Sequence, residues 1–173
     1  AERLAQPLTD VAAINARLDA VAFFVEERDR RRSVREQLKA AGDLARALTR
    51  LSLGRGGPRD LAQLRDGLAA GERASALCLG VGGGVPQELA QAGEALSLLS
   101  DPACATLVQS LDRALASELP LLTRDGGFIA AGFDAVLDDT RTLRDDSRKV
   151  IAALQTKYAE ETGIAGLKLK HNN

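Results

Sequence analysis

The sequence predicts an all-α protein: an elongated multi-helix bundle, one long lever-like helix, and a short C-terminal strand stub. Three observations point there. Ala and Leu dominate a chain of 173 residues in which aromatics make up only 3%, the composition of Leu- and Ala-packed helices rather than of a β sandwich. Apolar residues recur at spacings of three and four through most of the chain. Asp134 to Thr162 runs without a glycine or a proline.

The elements follow in order. Thr9 or Asp10 can cap a first helix, and Val11, Ile14, Leu18, Val21 and Val25 then make one apolar stripe to about residue 26. Arg28 to Arg32 is a charge run. Val34 and Leu38 carry a short second helix to Gly42, a plausible C-terminal cap residue. Asp43 can cap a third, with Leu44, Leu48 and Leu51 on one face, and Gly54 to Pro58 must break it.

Pro58 fits the first position of a fourth helix, faced by Leu61, Leu64 and Leu68 and running on weakly to Leu77. Gly80 to Gly84 is a glycine-rich connector. Pro86 starts a fifth helix, packed by Leu89, Ala92, Leu96 and Leu99, and Asp101-Pro102 opens a sixth with Leu107, Leu111 and Leu115. From Glu118 to Gly132, Pro120, Gly126, Gly127 and Gly132 interrupt any helical period, which predicts an extended connector against the bundle.

The helix expected over 134–162 is a rod on the order of 43 Å long at the standard rise. Its heptad seam is Val136, Thr140, Leu143, Ser147, Val150 and Leu154, widened by Leu137, Ile151 and Tyr158. Gly163 ends it. Leu167 and Leu169 then alternate with Lys168 and Lys170, the period of a strand. The organisation expected is therefore a bundle over 1–133 with its connector at about 118–133, a long helix over 134–163, and a strand begun over 164–173. A lone strand has no partner, and the chain opens Ala1-Glu2-Arg3 without Met, so a piece of a longer chain is the expectation.

Composition narrows the function classes. Lys+Arg number 23 against 24 Asp+Glu, a net charge of −1, so no global field draws the chain to nucleic acid or anionic lipid. No stretch approaches the roughly 20 apolar residues that span a bilayer, and no cationic segment precedes an apolar run. Two cysteines, Cys78 and Cys104, make no disulfide framework, and reduced thiols in a cytoplasmic protein are the expectation.

Candidate chemistry is sparse. Gly54-Arg55-Gly56-Gly57-Pro58-Arg59 lacks the Gly-Lys-Ser/Thr ending of a phosphate loop. Gly80 to Gly84 follows no strand, and Arg124-Asp125-Gly126-Gly127 is a turn or an anion nest. His171 has no converging ligand or base nearby, and Asp138-Asp139 and Asp145-Asp146 are adjacent rather than facing pairs. No catalytic, metal or cofactor residue is expected. Arg28, Arg30, Arg31, Arg32 and Arg35 could meet DNA phosphates or a protein partner, or form a solvated helix face.

Several segments together resemble a known family. Pro7-Leu8-Thr9-Asp10, then Ile14-Asn15-Ala16-Arg17-Leu18-Asp19-Ala20-Val21 and Phe24, resembles the opening of the core and lever region of MutS-family DNA mismatch repair ATPases. Asp43-Leu44-Ala45-Arg46, Arg50-Leu51, Gly54 and Pro58-Arg59-Asp60-Leu61 are similar to its second landmark. Ile129, Gly132, Phe133-Asp134, Leu137-Asp138 and Leu143 are similar to a third, with Phe133 where the family usually has tyrosine. Glu161-Thr162-Gly163-Ile164, Leu167-Lys168-Leu169-Lys170 and Asn172 complete the set.

The resemblance implies the first half of a lever joining an ATPase end to a DNA-gripping clamp, ending where the chain enters the clamp. It implies ATP and Mg in the parent protein and none here, since the mismatch wedge and the phosphate loop of that family are both missing. Implied partners are mismatched double-stranded DNA, a second MutS subunit and a MutL-type protein, with no membrane. Lys168, Lys170, His171 and Asn172, with Arg31 and Arg32, are the expected DNA-backbone candidates. Alternatives are a stand-alone helical interaction domain, or the same region of a paralogue that does not act on mismatches.

Overall fold

The computed structural model describes residues 6–80, 84–164 and 166–169, and these divide into two compact units after Ile129. Among the described residues the first unit carries six α-helices: α1 (Val11–Glu26), α2 (Arg28–Ala41), α3 (Leu44–Ser52), α4 (Pro58–Leu79), α5 (Gln87–Leu96) and α6 (Pro102–Ala114). The second carries α7 (Ala135–Thr162). The fold class is all-α.

Local chemistry sets most helix starts. Asp10 accepts the Ala13 N–H at 2.7 Å, Asp43 that of Arg46 at 2.9 Å, and Asp134 that of Leu137 at 2.9 Å. Asp101 accepts from Ala103 at 2.9 Å and from Cys104 at 3.4 Å, with Pro102 at the first helical position behind it. Each such bond satisfies an N–H that has no partner within the helix.

In the first unit α4 is central, with α2, α3, α5 and α6 all packed against it. A helix surrounded this way needs small residues where its neighbours come close. Its buried positions are Pro58, Ala62, Gly67, Ala70, Ala74, Ser75 and Cys78, while the expected face of Leu61, Leu64 and Leu68 is only half-buried. Gly67 shows why: a Cβ there would lie 2.7 Å from the Ala41 carbonyl and 2.3 Å from Leu44 Cδ2. Leu61 and Leu64 nonetheless pack on a cluster of Ala62, Leu111 and Leu115.

Three expectations are corrected. The charge run at Arg28 is not a segment before the second helix but its first turn, because Arg31 N–H bonds back to the Glu27 carbonyl at 2.9 Å. Leu99 does not pack α5. That helix stops at Leu96, Ser97 Oγ accepts the Leu99 N–H at 3.2 Å in a tight turn, and Leu99 is 87% exposed. Residues 166–169 form no strand. The Leu167 N–H closes a turn onto the Ile164 carbonyl at 3.1 Å, and the Leu169 N–H reaches Gln155 Oε1 at 3.4 Å, since among the described residues no second strand offers a ladder. Lys170, His171 and Asn172 lie outside the described residues.

Residues 116–129 form the connector of the first unit. Leu115 and Ile129 make an antiparallel bridge, Ala116 N–H bonds the Phe128 carbonyl at 2.9 Å, and Arg59 donates to the Leu119 carbonyl at 3.4 Å. The second unit begins with a brace in which Asp138 accepts the Gly132 N–H at 2.6 Å. α7 then runs for 28 residues to Gly163, whose left-handed conformation (φ 68°, ψ 11°) ends it.

Candidate functional site

α2 presents two opposite faces. At about 100° per residue, Arg30, Val34, Gln37 and Ala41 share the side that meets α4. Val34 is buried, Arg73 Nε donates to Gln37 Oε1 at 2.6 Å, and Arg30 stacks its guanidinium 5.2 Å from the Phe23 ring centre. The other side carries Arg28, Arg31, Arg32, Arg35 and Lys39, all exposed, with Glu36 at its edge. These side chains fence a trough of about 960 Å³, open to solvent and too shallow to enclose a small molecule.

The structure therefore brings Arg31 and Arg32 together with Arg28 and Arg35, but takes Arg30 away from them. Lys39, which the sequence reading left out, joins the row. The signal that finds it is the helical period itself, since Arg28, Arg32, Arg35 and Lys39 fall at successive spacings of four, three and four. Arg32 is held by Asp29 at 2.7 Å. Lys168 is exposed beyond α7, in the other unit.

Among the described residues, the glycine loop before α4 offers no open cradle for a nucleotide phosphate, and Val81 to Gly83 of the Gly80–Gly84 loop lie outside the described residues. At the start of α4, the Gly57 N–H that a phosphate could take donates instead to Asp60 Oδ2 at 2.8 Å, and Arg50 Nε donates to the same carboxylate at 3.1 Å. The Gly57 bond, then Arg50, holds the Asp60 carboxyl below its ordinary value against the opposing cost of burial. Gly56 is covered by Leu51, whose Cδ2 lies 2.4 Å from where a Cβ would sit. In the turn at 123–125, Asp125 accepts the Leu122 N–H at 3.3 Å. The Gly126 N–H of the same turn bonds the Thr123 carbonyl at 3.2 Å.

α7 is laced by short-range ion pairs. Arg141 meets Asp138 at 3.1 Å, Arg144 meets Asp145 at 2.9 Å, and Lys149 meets Asp146 at 3.2 Å. The acidic pairs are thus the solvated face of a rod. Thr140 and Ser147, the polar seam positions, donate to the carbonyls of Val136 (2.7 Å) and Leu143 (2.8 Å) one turn back. No residue of α7 is buried, and Val136, Leu143 and Val150 stand well exposed.

Both cysteines are free thiols. Burial pushes the Cys78 thiol up, with Arg30 pulling the other way, and the Asp101 carboxylate pushes Cys104 up. Among the described residues no group of three or more His, Cys, Asp or Glu could hold a metal ion, and no helix is long and apolar enough to cross a membrane.

Comparison with known proteins gives one answer. The family model described as MutS domain III matches residues 1–167. The DNA mismatch repair protein MutS of Rhodopseudomonas palustris (strain BisB5) is 56% identical over 173 residues, all of this chain and 18% of that protein. The proteins of the same name from Azorhizobium caulinodans and Caulobacter vibrioides are 51% and 52% identical over 99% of this chain. The chain thus spans about a fifth of the length of these relatives, 18% and 19% of them respectively.

Proposed function

The chain belongs to the MutS domain III family, and from that premise we propose that it is a non-catalytic mechanical module of a DNA mismatch repair protein. In this reading it links a distant ATPase domain to the part of the protein that grips mismatched DNA. ATP and Mg act in the longer protein, outside this chain, a reading supported by the loop before α4, where Asp60 and Leu51 occupy the glycine positions. The longer protein pairs with a second subunit and engages a MutL-type partner. Residues 1–133 serve as the bundle, 134–163 as the lever and 164–173 as the entry to the clamp. Lys168, Lys170, His171 and Asn172, with Arg31 and Arg32, are the DNA-backbone candidates.

The observation that carries the reading is α7. Its 28 residues are free of glycine and proline and laced by ion pairs, a rod of roughly 42 Å at the standard rise. An unbroken helix moves as a body, so a displacement at one end reaches the other. That is how a nucleotide-dependent state at one site biases a grip at a second.

Ser147→Pro in the full-length protein tests this, because proline removes the hydrogen bond to Leu143 and breaks the rod at about 3 kcal/mol or more. We expect ATP hydrolysis without DNA, and mismatch binding without ATP, to stay near their unaltered levels. Nucleotide-driven DNA release slows about tenfold or more, the loss of a coupling energy of 1–3 kcal/mol. Ser147→Ala keeps the helix and the release rate. Unchanged release in the proline variant would overturn the reading.

A further inference from the structure

We infer that the outer face of α2 is a binding surface for the phosphate backbone of duplex DNA, one that reads neither sequence nor mismatch. The partner class rests on the proposed role in mismatch repair; the surface itself rests on the geometry of α2. Arg28, Arg31, Arg32, Arg35 and Lys39 face solvent along one side, against Asp29 and Glu36, which leaves a net of +3 on that side of α2 in a chain whose total is −1. Of these five cations only Arg32 has an ion-pair partner among the described residues, Asp29 at 2.7 Å. Arg28, Arg31, Arg35 and Lys39 are therefore free cations.

Spacing selects the ligand. From Arg28 to Lys39 the row covers about 16 Å of helix axis. One strand of duplex DNA winds about its axis as it rises 3.4 Å per phosphate, so a straight row of this length keeps only about three of its phosphates within reach. A row of five cations is enough to supply those contacts. The row contains no aromatic side chain on which an unpaired base could stack, which disfavours single strands. Nor does it contain an apolar side chain, whereas the centre of a protein interface is poor in charge and anchored by apolar or aromatic groups. Packing of Val34 and Gln37 toward α4 fixes which side of the helix faces out, so the row is presented by a braced element.

The test is a salt-series titration of this chain with a duplex of about 30 base pairs, from about 50 to 200 mM salt. The unaltered chain is compared with Arg28→Gln/Arg31→Gln/Arg35→Gln and with the same three positions changed to Lys. We expect the slope of log affinity against log salt to become shallower by about 2.7 in the Gln variant, near 0.9 per phosphate contact, and to persist in the Lys variant. Far-UV circular dichroism confirms that each variant is folded.

Equal slopes in the unaltered and Gln chains overturn the inference. So does absence of duplex binding by the unaltered chain at the lowest salt, whether or not a poly-glutamate peptide binds in its place. A second duplex, differing by one mispair, separates the two readings. Mismatch-selective binding by this chain would sink the mechanical role proposed above, while the comparison of variants still judges α2.

Discussion

Arg50 and Asp60 meet at 3.1 Å across the loop that separates α3 from α4, and the same carboxylate accepts the Gly57 N–H at 2.8 Å. The arrangement is half a capping box: Asp60 reaches back to the cap residue, but glycine has no side chain to return the bond. It closes the turn between two helices with one charged group.

Asp60→Ala should destabilise the first unit by about 0.5–2 kcal/mol, the range for losing a capping side chain. The sign of its pH dependence follows from its lowered folded-state pKa. The contribution is present above the ordinary value of 3.8 and is lost as pH falls through the lowered folded value. Urea unfolding from neutral to acid pH should therefore show the two proteins converging at the acid end, and a constant gap would contradict this.

Two glycines of α4 should respond oppositely to alanine. Gly67→Ala forces a Cβ against the Ala41 carbonyl and Leu44 and should cost about 1–3 kcal/mol. Gly71 has only the Leu96 carbonyl near, at 3.9 Å, so Gly71→Ala should add about 0.5–1 kcal/mol through its better helix propensity. Chemical denaturation of both variants decides it, and destabilisation by both would contradict the packing described for α4.

Leu111 and Leu143 occupy apolar positions that look alike in the sequence. Leu111 is 8% exposed and Leu143 is 70% exposed. Leu111→Ala should cost about 2–5 kcal/mol, and Leu143→Ala should stay within about 0.5 kcal/mol of the unaltered chain. Thermal unfolding of the two variants in this chain measures the contrast.

The two thiols should separate by access. Cys104, half-buried at the start of α6, should react with an aromatic disulfide reagent well before Cys78, which is buried in α4. Asp101→Asn keeps an oxygen at the Oδ1 position for the N-cap but replaces Oδ2, the acceptor whose hydrogen bond, ahead of burial and charge, pushes the Cys104 thiol up, so its reaction at neutral pH should quicken while that of Cys78 does not. A stopped-flow trace with two phases, only the faster changed by Asp101→Asn, is the expected record.

What the sequence by itself determined was local. Asp10, Asp43, Asp101 and Asp134 cap helices because their carboxylates lie within reach of N–H groups two or three residues on, and Gly42 and Gly163 end helices where φ turns positive. Six helices before residue 118 and one long helix after it were legible on that basis. So were the four landmarks of family resemblance. The basic character of Arg31 and Arg32 was legible too.

Which side of each helix is buried was decided only by the tertiary structure. α4 has neighbours on several sides, and close approach favours Gly67, Ala70 and Ala74 over the leucines that a single apolar stripe would select. Arg30 lies outside the basic row because the helical period puts it on the side of Val34 and Gln37, where its guanidinium meets the Phe23 ring, and Lys39 entered the row because α2 turns that side away from α4. Leu167 and Leu169 alternate as a strand would, yet form none, because a ladder needs a second chain segment while a cap needs only its own turn.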